Sequence, residues 1–143
     1  MDYKPMILIA DDDASCLNAT AAFLTGQGFL CDRAATGDEA IARLKQSRYD
    51  LLLSDIEMPG NSNLRLIQAL PEIQPGLPVI LMTGYPTVQT AAHSIDLAVV
   101  AYLIKPVKPE DLLAKVNRAI ELSQCFRKVA GTRERLLAAC EDL

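Results

Sequence analysis

Residues 7–13, ILIADDD, join a short apolar run directly to three consecutive aspartates. Continuous apolar runs of this length are typical of parallel strands that are buried on both faces. Three later runs have the same form, with LLLS before Asp55, VILM before Thr83 and AYLI before Lys105. In one parallel sheet these polar residues would meet at the carboxyl ends of the strands. Such an edge is suited to a divalent cation and a phosphoryl group, with one carboxylate as the acceptor.

Segments that favour strands alternate with segments that favour helices up to about residue 120. The predicted strands cover residues 6–10, 29–34, 50–54, 79–82 and 101–104. The helices that follow them are expected to begin near Ala14, Thr36, Leu64, Pro86 and Pro109. Five strands alternating with five helices predict an α/β fold with a parallel sheet covered on both faces. In such sheets ligands bind beyond the carboxyl ends of the strands, where the strand order reverses.

Size and composition narrow the class of protein. The chain of 143 residues has about the size of one domain, and half of its residues are apolar. No apolar stretch approaches the roughly 20 residues that span a bilayer, and the N-terminus lacks a signal-peptide pattern. A cytoplasmic protein without membrane contact is therefore expected. The net charge of −4 and the pI of about 4.9 argue against direct nucleic-acid binding by this chain.

Cysteine and histidine offer little for catalysis or metal binding. The four cysteines show no metal-ligand spacing, and we expect free thiols in a reduced compartment. His93, the single histidine, leaves little material for a histidine-based metal site or a catalytic triad.

Four segments in this order, ILIADDDAS, DLLLSDIEMPG, VILMTGYPT and AYLIKP, closely resemble the receiver domain of two-component response regulators. The resemblance covers residues 5–122. It implies a flavodoxin-like three-layer sandwich, in which a five-stranded doubly wound parallel sheet of order 2-1-3-4-5 carries five helices. Residues 123–143 would be a C-terminal helical extension or linker with a break near Gly131. They would extend the last helix or contribute to a homodimer contact.

The resemblance assigns the acceptor and the metal ligands. Asp55 would be the phosphoacceptor, since a carboxylate can take up a phosphoryl group as an acyl phosphate. Asp11 and Asp12 would hold Mg²⁺ or Mn²⁺, with Asp12 as a direct ligand and Asp11 acting more through water. Asp55 and the backbone carbonyl of Glu57 would complete the ligand set. Asp13 is expected in the first turn of the following helix, where the helix dipole favours a carboxylate.

The resemblance also assigns the groups that respond to the phosphoryl group. Lys105 would place its ammonium on the phosphoryl oxygens and, before phosphorylation, on Asp55, with a cis peptide bond to Pro106. Thr83 would donate its hydroxyl to the phosphoryl group, and Tyr102 would be the switch aromatic. The surface that changes would comprise the fourth helix, predicted over residues 86–97, the fifth strand and the fifth helix.

These roles imply a phosphorelay signalling switch rather than an enzyme with an external substrate. A histidine kinase or phosphotransfer protein would donate the phosphoryl group, and the domain would catalyse its own dephosphorylation for an effector that is not identified. One alternative is a phosphorylation-independent interaction module on the same fold, against which the complete set of site residues argues. Another is an aspartate-based phosphohydrolase, in which Glu57 would act as the acid/base, although a cap insertion is missing. The segment GYPTVQTAA also resembles receivers attached to transcriptional activators.

Three segments depart from the usual receiver pattern. The loop after the acceptor reads Asn61-Ser62-Asn63 where a second acidic residue and a glycine are usual, and Ala98-Val99-Val100 replaces the glycine before the fifth strand. Pro71 is expected to end or kink the third helix. None of these positions belongs to the proposed chemistry, so they bear on partner docking and on the mobility of the switch surface.

Overall fold

The computed structural model describes residues 4–58, 65–87 and 99–141, with side chains as far as residue 125. The strands are β1 Met6–Ala10, β2 Leu30–Ala34, β3 Leu51–Asp55, β4 Val79–Thr83 and β5 Val99–Ile104. The helices are α1 Ala14–Gly26, α2 Gly37–Gln46, α3 Arg65–Ile73 and α4 Pro109–Glu141. Most of the helix predicted over residues 86–97 lies outside the described residues, as do His93 and the Asn61–Asn63 loop, so the last helix is labelled α4.

The sheet confirms the predicted topology. Its strands lie in the order β2-β1-β3-β4-β5, and every neighbouring pair is parallel. The order reverses at β1, because β2 lies on one side of it and β3 on the other. Ala10 pairs with Ser54 at the ends of β1 and β3, so the residues that follow these strands are neighbours at the reversal.

Two apolar layers cover the sheet. Alternate side chains of a strand point to opposite faces, so each central strand contributes to both layers and has no polar face. One layer joins the sheet to α1 and α4 and includes Ile7, Ile9, Leu17, Leu24, Leu51, Leu53, Ile80 and Val116. The other joins it to α2 and α3 and includes Leu8, Leu44, Leu52, Leu66, Ile67, Leu70 and Leu81. Each such side chain contributes roughly 1.5–3 kcal/mol of transfer free energy, which holds the strand ends in place.

Local signals explain where α1 and α2 begin. The Thr36 hydroxyl accepts a hydrogen bond from the Glu39 N–H at 3.1 Å, as a capping box predicts. The Glu39 carboxylate accepts from the Ala35 N–H at 3.2 Å, one residue before the N-cap, rather than from the Thr36 N–H. Asp13 is the N-cap of α1 rather than a first-turn residue. The turn after α1 places Gly28 at φ 99°, a conformation that favours glycine.

Pro71 does not end α3, which continues to Ile73. A proline this close to the carboxyl end removes only one helical hydrogen bond. The buried Leu66, Ile67 and Leu70 hold the helix against the sheet. Of the two effects expected of Pro71, the stop is therefore wrong, and the kink stays a prediction.

The start of β5 has an irregular pairing with β4. Val79 pairs with Val99 and Ile80 with Ala101, so Val100 is an extra residue in the pairing of β5 with β4. This is a β-bulge at the start of β5, in the part of Ala98–Val100 that the structure describes.

The last helix is continuous from Pro109 to Glu141, so the predicted break near Gly131 is wrong. A single interior glycine costs only about 1 kcal/mol relative to alanine, which is too little to interrupt a long helix. The proposed boundary between residues 122 and 123 therefore falls within α4. None of the helices in the described part of the chain is long and apolar enough to cross a membrane.

Candidate acidic site at the carboxyl edge of the sheet

Backbone hydrogen bonds fix the positions of the two central carboxylates. Asp55 is the last residue of β3, and Asp11 directly follows β1. The Asp11 N–H donates to the Ala34 carbonyl at 3.0 Å, and the Ile56 N–H donates to the Met82 carbonyl at 3.0 Å, so the ladder continues past both residues. Both carboxylates therefore project from backbone that the sheet holds rigidly.

One ammonium group bridges the two carboxylates. Lys105 Nζ lies 2.9 Å from Asp11 Oδ2 and 3.0 Å from Asp55 Oδ2. Asp11 and Asp55 are only 1% and 6% exposed, while the Lys105 side chain keeps 22% of its surface in solvent. The Lys105 N–H donates to the Thr83 carbonyl at 2.7 Å, which ties the end of β5 to the end of β4. The Lys105–Pro106 peptide bond is cis, as predicted.

The second oxygen of each carboxylate accepts a backbone hydrogen bond. Asp11 Oδ1 accepts from the Asp13 N–H at 3.0 Å, and Asp55 Oδ1 accepts from the Glu57 N–H at 3.1 Å. Each carboxylate is thus held by an N–H on one side and by the ammonium on the other, which fixes its orientation. The predicted role of the Glu57 carbonyl as a metal ligand stays a prediction.

A third carboxylate completes the acidic cluster. Asp12 is exposed, and oxygen atoms of Asp11, Asp12 and Asp55 all lie within 4.8 Å of one another. Carboxylate oxygens are the donors that hard divalent cations prefer, so these three residues could hold such an ion. The Asp13 side chain instead caps α1, since its Oδ1 accepts hydrogen bonds from the N–H groups of Ser15 and Cys16 at the start of this helix.

The environment of Asp11 stabilises its anion. Burial opposes ionisation of Asp11. Hydrogen bonds from the Asp13 N–H, the Lys105 ammonium and the Cys16 thiol outweigh it, and the pKa of this carboxyl lies below its usual value. Burial also opposes ionisation of Lys105 and by itself would lower the pKa of this group. The hydrogen bonds to Asp11 and Asp55 outweigh burial and raise that pKa well above its ordinary value. The lysine is therefore cationic at any physiological pH.

The surroundings of Asp55 stabilise its anion less than those of Asp11 stabilise the Asp11 anion. Burial raises the pKa of its carboxyl above the usual value, although Lys105 and the Glu57 N–H act in the opposite direction. The nearby charge of Asp11 adds to the increase. Of the two carboxylates that Lys105 bridges, Asp55 thus carries the less stabilised negative charge.

The predicted switch residues lie on β4 and β5, the two strands beyond β3. Thr83 ends β4, is 1% exposed, and its Oγ1 accepts a hydrogen bond from the Tyr85 N–H at 3.0 Å. Tyr102 pairs with Leu81 in the middle of β5, and its partly buried ring packs against the layer under α2 and α3. Tyr85 is 75% exposed beside the site.

Sequence reasoning missed the contribution of Cys16, which it treated as an ordinary free thiol. The Asp13 cap sets the first turn of α1 so that the thiol reaches the Asp11 carboxylate. Cys16 and Lys105 also line a mostly apolar cavity of about 440 Å³ between α1 and the start of α4. A cysteine five residues after an aspartate carries no signal of such a contact, because the contact depends on how the helix leaves the strand.

Comparisons with known proteins agree with this geometry. A model of the response regulator receiver domain matches residues 7–117. The transcriptional regulatory protein GlrR of Escherichia coli (strain K12) is 31% identical over 96% of this chain and 32% of its own length. The DNA-binding transcriptional regulator NtrC of Salmonella typhimurium is 35% identical over 82% of this chain and 25% of its own length. The chain therefore spans about a third or less of these two relatives.

Solved structures show the same fold. A response regulator receiver domain protein from Methanospirillum hungatei JF-1 superposes with a TM-score of 0.79 at 30% identity, covering 85% of this chain and 98% of its own. A receiver domain protein from Clostridium thermocellum gives a TM-score of 0.80 at 25% identity with the same coverage. The sheet order, the acidic cluster and the family match over most of the chain lead to one conclusion: this chain belongs to the response regulator receiver domain family.

Proposed function

We propose that residues 5–122 form a phosphorelay receiver that accepts a phosphoryl group on Asp55 from a phosphorylated histidine of a kinase or phosphotransfer protein. The observation that carries the proposal is the Lys105 ammonium, which bridges Asp11 and Asp55 within 3.0 Å, beside the third carboxylate of Asp12. A structural ion pair needs one carboxylate, whereas here two carboxylates contact one ammonium and the oxygen of a third lies within 4.8 Å of theirs. The excess negative charge favours a divalent cation and a group that the cation can anchor.

In the transfer step, an Asp55 oxygen forms a bond to phosphorus while the phosphorus–nitrogen bond of the donor breaks, and the imidazole leaves with its electron pair. Phosphoryl transfer depends mainly on positioning and on charge stabilisation. The Glu57 N–H and the Lys105 ammonium hold Asp55 so that its attacking oxygen cannot rotate away. As Asp55 becomes an acyl phosphate, Lys105 would move its hydrogen bond to a phosphoryl oxygen.

Asp11, Asp12, Asp55 and the Glu57 carbonyl would hold Mg²⁺ or Mn²⁺. The all-oxygen donor set and the 4.8 Å spread of the three carboxylates fit such an ion. A bound Mg²⁺ would balance the charge of the phosphoryl oxygens during transfer and during the hydrolysis that returns Asp55 to its free form.

The signal would leave the site through the ends of β4 and β5. The Thr83 hydroxyl, which accepts from the Tyr85 N–H in this state, would donate to a phosphoryl oxygen instead. The hydrogen bond between the Lys105 N–H and the Thr83 carbonyl would carry this movement to β5, where Tyr102 lies. Only contacts that differ between the two states drive such a shift, and the phosphoryl group supplies one. The names of the relatives favour an output in transcription through a separate domain.

Incubation with acetyl phosphate and Mg²⁺ tests the acceptor. We expect the intact mass to increase by one phosphoryl group, to return slowly after the donor is removed, and to stay unchanged without a divalent cation. Asp55→Asn should abolish the gain. Asp13→Asn is the matched control, because asparagine caps a helix as well as aspartate does, the backbone N–H that Asp13 donates to Asp11 is kept, and the Asp13 side chain takes no part in the cluster. A gain that persists in Asp55→Asn would place the acceptor elsewhere.

A further inference from the structure

Most of the hydrogen-bonding capacity of the Asp11 carboxylate is already used. Asp11 is 1% exposed, its Oδ1 accepts from the Asp13 N–H at 3.0 Å, and its Oδ2 accepts from the Lys105 ammonium at 2.9 Å. The Cys16 thiol donates a third hydrogen bond to the same carboxylate. An ionised carboxylate has about four acceptor positions, so these three donors leave roughly one for a cation or for a water that a cation holds.

The start of α1 holds the thiol in this place. Asp13 Oδ1 accepts from the N–H groups of Ser15 and Cys16 at 3.0 and 3.3 Å, which fixes the first turn of the helix. Thr20 follows Cys16 by four residues on the same side of α1, and its hydroxyl donates to the Cys16 sulfur. The hydrogen bonds therefore run in one direction, from Thr20 through Cys16 to Asp11, and in such a chain each bond strengthens the next.

The surroundings of the thiol are mostly apolar. Cys16 and Thr20 line the cavity of about 440 Å³ together with Met82, Lys105, Pro106, Val107 and Leu112. A water molecule in such a cavity would have few polar partners, so water is a poor replacement for the thiol. Burial and the hydrogen bond to Asp11 raise the pKa of the Cys16 thiol, so it keeps its proton and remains a donor at neutral pH.

We propose that Cys16 is a positioning residue that acts through Asp11 and lowers the affinity of the acidic cluster for a divalent cation. The thiol occupies one acceptor position of the Asp11 carboxylate and draws its negative charge towards the shared proton, so less of that charge attracts the cation. Removal of the thiol would return this position and this charge to the cluster. The inference rests on the proposed function only in taking Asp11, Asp12 and Asp55 as the cation site, and it needs no phosphoryl transfer.

Mn²⁺ binding tests the role of the thiol, with electron paramagnetic resonance measuring the free ion. We expect Cys16→Ala to bind Mn²⁺ about threefold to tenfold more tightly than the parent chain, the factor that corresponds to one hydrogen bond of ordinary strength. Cys16→Ser has a hydroxyl that can donate in place of the thiol, so its affinity should stay within about twofold of the parent value. Cys16→Val lacks a donor but fills the space, so it should bind as tightly as Cys16→Ala and decides the question if the alanine variant does not fold.

Cys31→Ala is the matched control. Cys31 is also a partly buried free thiol, but it pairs with Ile7, whereas the acidic cluster lies beyond the other end of β1. Its loss should leave Mn²⁺ affinity unchanged. A role of Cys16 in packing alone would lower the stability of its variants without tightening Mn²⁺ binding. Unchanged or weaker binding by both Cys16→Ala and Cys16→Val, or a Cys16→Ser variant that binds as tightly as these two, would overturn the proposal.

Labelling with acetyl phosphate separates this inference from the proposed function. The Mg²⁺ concentration that gives half-maximal labelling should be lower in Cys16→Ala than in the parent chain, by the same factor as the Mn²⁺ dissociation constant. A parent chain that takes up no phosphoryl group would refute the proposed function, while the Mn²⁺ comparison would still decide the role of Cys16. A Cys16→Ala variant that is labelled like the parent at every Mg²⁺ concentration would overturn the role of Cys16 alone.

Discussion

Replacing Lys105 by methionine keeps most of the stem of the side chain and removes the ammonium that bridges Asp11 and Asp55. At about 3 Å and an effective dielectric of 20, each ion pair has a Coulomb energy of roughly 5 kcal/mol. The desolvation of three charged groups and the repulsion between the two carboxylates offset much of the attraction that the two ion pairs provide together. Loss of one partner from such a buried arrangement costs about 3–5 kcal/mol, because the remaining charges are uncompensated.

We therefore expect the free energy of unfolding of Lys105→Met to fall by about 3–5 kcal/mol without divalent cations, which is a large share of the stability of a domain this size. Mg²⁺ should restore part of the loss, since the cation would replace the missing charge. A free Mg²⁺ concentration a hundredfold above the dissociation constant adds about 2.7 kcal/mol to the free energy of unfolding. This gain should be larger in the variant than in the parent chain, because the ammonium no longer repels the cation.

Urea unfolding with EDTA and with saturating Mg²⁺ measures both effects. Lys108→Met is the matched control, because Lys108 is exposed and follows Lys105 by only three residues. Its stability and its response to Mg²⁺ should equal those of the parent chain. A Lys105→Met variant that is as stable as the parent without metal, or that gains no more from Mg²⁺, would refute the reasoning.

Two further predictions concern the opposite end of the sheet. The Gln74 amide accepts a hydrogen bond from the Tyr49 N–H at 3.1 Å and donates to the Leu44 and Ser47 carbonyls at 2.8 and 2.6 Å. Because Gln74→Ala removes these bonds, it should lower the free energy of unfolding by about 2 kcal/mol in urea titrations. A change below about 0.5 kcal/mol would contradict this. Burial and the hydrogen bond to Asp32 raise the pKa of Tyr49 from 10.0 to about 12. Between these two pH values the folded state retains a proton that the unfolded state loses. The associated stability, about 2 kcal/mol, is therefore present below pH 10 and disappears as the pH rises towards 12. Tyr49→Phe should lack this loss in unfolding curves measured from pH 9 to 12, and parallel pH profiles for the two chains would disprove the assignment.

Local sequence patterns determined the elements of this protein. Continuous apolar runs predict strands that are covered on both faces, and the alternation with helical spacing predicts a parallel sheet. The helix cap by the Thr36 hydroxyl needs only residues within one turn, so it could be predicted and is present. The polar residues at the strand ends were also visible in the sequence, because parallel strands bring their carboxyl ends to one edge.

Contacts between distant residues were decided by the tertiary structure. The resemblance predicted the contact of Lys105 with Asp55, 50 residues away, but not the second contact with Asp11, 94 residues away, because that contact depends on how the crossovers bring the ends of β1, β3 and β5 together. Nor did it show that Asp13 would serve as a cap, since three adjacent aspartates are equivalent until the first turn of α1 selects among them. The opposite pKa shifts of Asp11 and Asp55 were likewise decided by the tertiary structure. Burial, neighbouring N–H groups and nearby charges act through space, and only the packed sheet sets their distances from each carboxylate.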